Sequence, residues 1–313
     1  MDRFVDIATD GRHLSVHRGF LVVTASSDAS GGREEVGRVP LDDVAAVIVH
    51  AHGVTWTTNL VCALAERGAS VVFCGPNHAP VALCLPLEAH HTQNARMRAQ
   101  WAAGRPLQKQ LWREIVVAKI RWQGAMLAAH GHEAGPFDFL ARKVRSGDPD
   151  NVEAQAARRY WPLMMGPDFR RDRNSEGANA LLNYGYTVLR SVCARAVVAA
   201  GLHPSIGVHH ANRANAFALA DDLIEPLRPL VDAVALRLLK RGTKEVGPEA
   251  KRAFAGLIAL DLPGEAGTTT VANAALRTAQ SLALSFQSGR VTDFVLARPP
   301  SAIELAGLDA AEP

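Results

Sequence analysis

The sequence predicts an α+β protein: an N-terminal β-rich domain, similar to a β-sandwich, followed by a larger all-helical domain. Up to about residue 87, short β-branched and apolar runs alternate with turn residues, which is typical of strands. From about residue 88, apolar residues recur every three or four positions over long stretches, which is typical of helices. For a chain of 313 residues we therefore expect two domains, 1–87 and 88–313.

Strands dominate the predicted first domain. HLSVHRGFLVVTAS, from residue 13, has β-branched residues on either side of HRG and predicts a hairpin. VPLDDVAAVIVHAHG predicts a strand that ends before Gly53. TTNLVCALAERG begins with helix-capping residue types and ends at Gly68, so it predicts a helix. VVFCGPNHAPVALC then predicts two strands around a Gly-Pro-Asn turn.

The predicted second domain consists of amphipathic helices that each end at a glycine. The periodic segments are QKQLWREIVVAKIRWQGAMLAAHG, EGANALLNYGYTVLRSVCARAVVAAG, DAVALRLLKRG and TTTVANAALRTAQSLALSFQSG.

Charge is unevenly distributed although the net charge is only +3. Residues 90–173 hold fifteen Lys or Arg against eight Asp or Glu, an excess of +7, so the rest of the chain is slightly acidic. This pattern is typical of a face that binds an anionic polymer, and equally of a solvated helical surface.

The composition also indicates a location. No run of eighteen apolar residues is present, the first residues lack the apolar core of a secretory signal, and the four cysteines show no CxxC spacing. These features predict a cytoplasmic protein in a reducing compartment.

The stretch HHANRANAFALADDLIEP, residues 209–226, combines histidines with carboxylates. Asp222 and Glu225 are three apart, so on a helix they share a face and repel each other across about 5–6 Å. Asp221 is rotated by about 100° from Asp222, so the two are not expected to reach one ion. The turn GLHPSIGVHH precedes this helix and brings His209 and His210 to a loop edge.

A further candidate carboxylate lies upstream in DNVEAQAARRYW, where Glu153 follows Asp150 and Asn151 near a predicted helix start. Taken alone, Glu153 is explained as a first-turn acid that complements the helix dipole. A histidine with two or three carboxylates suits Mn²⁺, with Mg²⁺ tolerated, and such an ion would offset the carboxylate repulsion. It would also polarise a phosphoryl oxygen or activate a hydroxyl. This hypothesis requires helix packing to bring residues 153, 210 and 225 together.

Two alternatives from other classes stay open at this point. DDLIE is similar to the aspartate-rich motifs that hold magnesium in all-helical prenyl-transfer enzymes, but that class predicts a second such helix and no β domain. The other alternative is a helical DNA-binding scaffold without catalysis, in which the acidic residues only decorate the surface.

The sequence also resembles a known family along nearly its whole length. The matching segments are VPLDDVAAVIVH, LVCALAERGASVVFCG, LWREIVVAKIRWQ, EAQAARRYW, NALLNYGYTVLRSVCARAVVAAGL, the Gly-x-x-His turn and LADDLIEPLRP. They are similar to the CRISPR-associated adaptation integrase/endonuclease family, Cas-one, and the compact length, DDLIEPLRP and FRRDR resemble type II systems.

This resemblance implies a site and a reaction. The family's metal ligands fall on Glu153, His210 and Glu225, with Asp222 as a further acidic position that orients or assists; His209 stands where the family usually has an apolar residue. The implied cofactor is Mg²⁺ or Mn²⁺. The implied reaction joins the 3′-hydroxyl ends of a short DNA fragment, the prespacer, to the leader–repeat boundary of a CRISPR array, with metal-dependent DNA cleavage beside it.

The resemblance implies partners as well: a homodimer formed through the N-terminal domains, the companion adaptation protein Cas two, and DNA that is double-stranded or partly single-stranded. The candidate DNA contacts are eight basic residues and one aromatic residue of the helical domain: Arg142, Lys143, Arg145, Arg158, Arg159, Tyr160, Arg170, Arg171 and Arg173.

Overall fold

The computed structural model describes residues 3–26, 32–75, 80–84, 86, 92–172, 175–210, 212, 214–264 and 267–300. The fold is mixed α+β, with strands first and helices after them, which confirms the predicted class. The chain divides into two compact units, Met1–His91 and Thr92–Pro313. The sequence places the division slightly earlier, between residues 87 and 88, in a segment that lies partly outside the described residues.

The described part of the first unit consists of two four-stranded sheets, one α-helix and a short 3₁₀ helix, Leu41–Asp43. In chain order the elements are β1 (Arg3–Ile7), β2 (Arg12–His17), β3 (Phe20–Ser26), β4 (Arg33–Pro40), β5 (Val44–Val49), β6 (Thr55–Trp56), α1 (Thr58–Glu66), β7 (Ser70–Cys74) and β8 (Pro80–Cys84).

One sheet has the order β1-β5-β7-β8, parallel except for β8, and the other has the order β4-β3-β2-β6, antiparallel except for β6. Leu14 and Leu21 from the second sheet share one buried cluster with Val47 and Val71 from the first and Leu60 from α1. The two sheets therefore enclose a single core, as in a sandwich.

The predicted hairpin and helix form for the expected local reasons. Arg18 and Gly19 connect β2 to β3 with φ of 47° and 80°, the left-handed pair that suits a two-residue hairpin turn. The Thr57 side chain accepts a hydrogen bond from the Leu60 N–H and so caps α1.

The second unit is helical in its described part, apart from one short hairpin. Its elements are α2 (Gln93–Ala102), α3 (Arg105–Ala129), α4 (Gly135–Lys143), α5 (Val152–Met165), α6 (Ala178–Ala199), α7 (Ala218–Ile224), α8 (Arg228–Lys240), α9 (Pro248–Gly256), β9 (Asp261–Gly264), β10 (Gly267–Thr270) and α10 (Val271–Ser288). The hairpin β9–β10 was not predicted; Pro263, Gly264 and the threonines of β10 favour it over a helix.

Helix α6 is the centre of this unit, because it is buried on nearly all sides and packs against α7, α8 and α10. A Cβ added at Gly185 would lie 2.5 Å from the Phe254 ring, so the neighbouring side chains approach the α6 backbone closely. Among the described residues, no helix is both long and apolar enough to cross a membrane.

Candidate functional site

One lysine joins two of the three predicted metal ligands. Lys119 lies on α3, Glu153 lies in the first turn of α5, and Glu225 begins a short 3₁₀ helix directly after α7. Lys119 Nζ is 2.5 Å from Glu153 Oε1 and 2.6 Å from Glu225 Oε2. Burial lowers the pKa of Lys119, but the two carboxylates outweigh burial and raise it, so the ammonium stays charged.

Glu225 is only 4% exposed and has a second cationic neighbour, Arg228, whose Nε is 2.9 Å from its Oε1. Burial raises the pKa of Glu225, but Arg228 and Lys119 outweigh burial and bring the pKa to about 2. Glu225 Oε2 is buried and lies 2.6 Å from the Lys119 ammonium, so both oxygens of this carboxylate have a cationic neighbour.

Asp222 holds His210 in one orientation. Asp222 is fully buried, and its Oδ1 lies 2.7 Å from His210 Nδ1. The same carboxylate accepts backbone N–H bonds from Val208, His209 and His210, at 2.5, 3.1 and 3.2 Å. The hydrogen bond from His210 to Asp222 raises the pKa of the imidazole against the effect of burial. A carboxylate bound to Nδ1–H fixes the tautomer that presents Nε2 as a ligand.

The turn that carries His210 is itself clamped by α2 and α3. The Gln100 amide donates to the carbonyls of His203 and Ile206 at 2.9 and 2.7 Å and accepts from the His203 N–H at 2.8 Å. The Trp112 ring, buried on α3, stacks on the His209 ring at 4.0 Å and 5°. These contacts fix the path of the backbone that delivers His210.

The acidic pair of α7 is divided between two environments. Asp222 faces the His210 turn, whereas Asp221 accepts from Arg190 Nε at 2.6 Å and from the Asn215 amide at 2.8 Å. The neighbouring carboxylates therefore do not face one ion, as the helical rotation predicts.

The structure brings Glu153 and Glu225 together around Lys119, and the charges of Glu225 and His210 interact, but the three predicted ligands do not form a ready cluster. In the described ranges, no group of three or more His, Cys, Asp or Glu is arranged to hold a metal. Instead, the Lys119 ammonium occupies the space between Glu153 and Glu225, as a protein cation where the sequence predicted a divalent ion. The donor set still fits Mg²⁺ or Mn²⁺, because it offers carboxylate oxygens and an imidazole that a carboxylate orients.

The candidate DNA contacts fall into different surroundings. Arg142, Lys143, Arg158, Arg159 and Arg170 are exposed; Arg145 is exposed and pairs with Asp150 through both carboxylate oxygens. The Arg171 guanidinium is instead held by Asn179 and Asn183 at 2.8 and 2.7 Å. Arg173 lies outside the described residues.

Tyr160 is a correction to the predicted DNA surface. Its side chain is fully buried, and its hydroxyl donates to Asp232 at 2.9 Å, beside a second hydroxyl donated by Tyr186. Tyr160 follows two arginines in ARRYW, and the sequence left both a DNA contact and buried packing open for it; the α-helical rotation turns its ring into the core.

Sequence reasoning missed the groups that position the site. Lys119 and Trp112 lie in the segment LWREIVVAKIRWQ, where they resemble ordinary members of an amphipathic helix. From the sequence, Gln100 near the predicted domain junction is no more than a weak candidate for a DNA contact. No local signal identifies these residues, because each one acts on a partner distant in the chain.

The chain is an α+β protein in which a two-sheet unit precedes a helical unit, and in the helical unit a buried carboxylate orients a histidine while one lysine joins two glutamates. The family profile of the CRISPR associated protein Cas1 matches residues 5–248. The chain belongs to the Cas1 family.

Individual relatives agree with this membership. A CRISPR-associated endonuclease Cas1 of Neisseria meningitidis serogroup C (strain 8013) is 37% identical over 235 residues, which cover 74% of this chain and 75% of the relative. A casposase bound to integration product shares the fold with a TM-score of 0.78 at 19% identity, covering 94% of this chain and 92% of that one. A Cas6-RT-Cas1–Cas2 complex matches with a TM-score of 0.73 at 19% identity, covering 95% of this chain and 36% of that one.

Proposed function

We propose that this protein is a divalent-metal-dependent DNA integrase and endonuclease of CRISPR spacer acquisition. The observation that carries the proposal is that Glu153 and Glu225 share a single cation while His210, fixed by Asp222, lies close enough to Glu225 for their charges to interact. Family membership supports the proposal, since the Neisseria relative is named an endonuclease and the casposase is bound to an integration product.

The residues fit defined roles in this reaction. Glu153, Glu225 and His210 Nε2 would hold Mg²⁺ or Mn²⁺, which supplies a Lewis acid for a phosphoryl oxygen and an attacking hydroxyl. Asp222 acts as a positioning residue rather than a ligand, because its oxygens already accept hydrogen bonds from backbone N–H groups and from the His210 ring nitrogen.

The chemistry is a transesterification in which one phosphodiester replaces another. The prespacer 3′-oxygen bonds to a phosphorus at the repeat boundary, the 3′-oxygen of the cut strand leaves, and the proton of the attacking hydroxyl passes to solvent. In the cleavage reaction, water replaces the attacking hydroxyl. The exposed set Arg142, Lys143, Arg158, Arg159 and Arg170 would bind the DNA phosphates.

The proposed assembly is a homodimer through the N-terminal units that works with Cas2 in the cytoplasm, as part of a type II system. The Cas1–Cas2 complex among the structural neighbours supports Cas2 as a partner. The prenyl-transfer alternative is wrong, because the two-sheet unit and the family membership contradict it.

Strand transfer of a labelled duplex tests the proposal. Purified protein with its Cas2 partner should join a duplex ending in 3′-hydroxyls to a repeat-containing target in Mg²⁺ or Mn²⁺. It should not join a duplex with 3′-deoxy ends. E153A, H210A and E225A should each lose nearly all activity, while E245Q, at an exposed glutamate of the same unit, should keep it.

Retained joining in one of the three variants would remove that residue from the proposed ligand set. Joining that survives in all three and in EDTA would leave the non-catalytic DNA-binding scaffold as the better explanation.

A further inference from the structure

A buried carboxylate on α8 joins three helices of the second unit. Asp232 is 2% exposed, and its Oδ2 accepts a hydrogen bond of 2.9 Å from the Tyr160 hydroxyl of α5. Its Oδ1 accepts a hydrogen bond from the Tyr186 hydroxyl of α6. Both tyrosine side chains are buried as well. A buried network in which each polar group has a partner holds its helices in one arrangement.

Two of these helical segments also carry proposed metal ligands. On α5, Glu153 precedes Tyr160 by seven residues. Glu225 begins a 3₁₀ turn that continues directly into α8, and it precedes Asp232 by seven residues. Seven residues are close to two helical turns, so each glutamate lies on the same face as its network member, about 10 Å away along the axis. The two segments are therefore linked twice, by Lys119 at the glutamates and by the Tyr160–Asp232 hydrogen bond two turns further on.

The same network supports the arginine beside Glu225. The Arg228 guanidinium lies 4.6 Å from the centre of the Tyr186 ring, and its Nε is 2.9 Å from Glu225 Oε1. The hydrogen bond to Asp232 fixes the Tyr186 ring, and the fixed ring face favours one position of the guanidinium. Glu225 is therefore restrained by Arg228 on one side and by Lys119 on the other.

We propose that the network of Tyr160, Tyr186 and Asp232 positions the metal ligands, by setting from two turns away the separation of the two glutamates. None of the three would contact the ion, because each acts through a helix or through Arg228. This inference rests on the proposed function, since it concerns the ligands that the proposed function assigns. Removal of a group that orients metal ligands typically weakens metal affinity by about 10–100-fold.

Removal of single hydroxyls tests the network. Y160F and Y186F keep the aromatic rings, and each removes one hydrogen bond to Asp232. We would measure the Mn²⁺ affinity of the full chain by electron paramagnetic resonance of the free ion, well below the Tm of every variant. Each variant should bind Mn²⁺ about tenfold more weakly than wild type, the lower end of the range for a group that orients ligands.

The matched control is S285A. Ser285 is fully buried on α10 of the same unit and donates to the Arg290 carbonyl at 2.6 Å, so this change also removes one buried hydroxyl hydrogen bond. S285A should lower the Tm, as Y160F does, but keep the Mn²⁺ Kd of wild type. A role of Tyr160 in stability alone predicts the same result for both variants, a lower Tm with an unchanged Kd.

A second measurement needs no metal. K119M and Y160F each remove one of the two links between the same helical segments. In EDTA, the Tm loss of the double variant should therefore be smaller than the sum of the two single losses. K119M combined with S285A should give additive losses, because Lys119 and Ser285 bind different partners.

Three results would overturn the inference. They are an unchanged Mn²⁺ Kd in either tyrosine variant, additive Tm losses for K119M with Y160F, and a Kd that weakens equally in S285A, because the effect would then follow stability alone. Wild-type protein that binds no Mn²⁺ would refute the proposed ligand set itself, which is a different result from an unchanged Kd. Mn²⁺ binding by wild type with any of the three results would refute the network's role and leave the proposed function standing.

Discussion

Lys119 is the residue whose removal tests the electrostatics of the site directly. Its ammonium lies within 2.6 Å of both Glu153 and Glu225, and its side chain is only 12% exposed. The change K119M keeps most of the side-chain volume and removes the charge. Two carboxylates would then face each other at a largely buried position with Arg228 as the remaining cation on one side.

The magnitude follows from the burial of the partners. Removing one member of a buried ion pair destabilises a protein by about 3–5 kcal/mol. We expect about 3 kcal/mol, the lower end, because the Glu153 side chain is 26% exposed and Glu225 retains Arg228. For a domain of this size, 1 kcal/mol corresponds to about 2–4 °C in Tm, so K119M should melt about 6–12 °C below wild type in EDTA.

Metal should reverse most of this loss if the carboxylates bind it. Mn²⁺ at about a hundred times its Kd adds about 2.7 kcal/mol to the free energy of unfolding. In wild type the ion must first displace the ammonium, so K119M should gain more from Mn²⁺ than wild type does.

The assay is calorimetric melting of wild type, K119M and K109M in EDTA and in Mn²⁺. K109M is the matched control, because Lys109 is exposed on the same helix. A K119M protein with the same Tm as wild type in EDTA would refute the predicted loss of stability. An equal increase of Tm in Mn²⁺ for both proteins would refute the competition between the ion and the ammonium.

Three further substitutions test the surroundings of the site. D222N removes the charge that orients His210, and we expect strand-transfer rates to fall by about 10–100-fold while DNA affinity in EDTA stays unchanged. A Cβ at Gly207 would lie 2.6 Å from the His210 carbonyl and 2.9 Å from Asp222 Oδ2, so G207A should lower both the strand-transfer rate and Tm. Burial raises the pKa of Asp232 from 3.8 to about 6, so its contribution to stability is present below pH about 4 and is lost as pH rises through about 6. In D232N, the free energy of unfolding in urea should no longer show this dependence on pH between pH 4 and 7.

Structural features that depend on neighbouring residues were predicted more successfully than those that depend on contacts between distant segments. The β2–β3 hairpin and the caps of α1 and α5 depend on neighbouring residues, and each was predicted from them; Asn151, one of the two expected caps, accepts from the Ala154 N–H. The hairpin β9–β10 was missed because its segments are too short to show a period. Tyr160 does not serve as a candidate DNA contact, because a residue beside two exposed arginines can still lie on the buried face of the same helix.

By itself, the sequence determined the β-rich first part and the helical second part, the family resemblance and the identities of the candidate ligands, since these are recorded in local pattern and residue type. Only the tertiary structure decided that Asp222 holds His210, that Lys119 lies between Glu153 and Glu225, and that His209 stacks on Trp112. The physical reason is that charge compensation and ring stacking act over a few ångströms between segments far apart in the chain, and helix packing alone sets those distances.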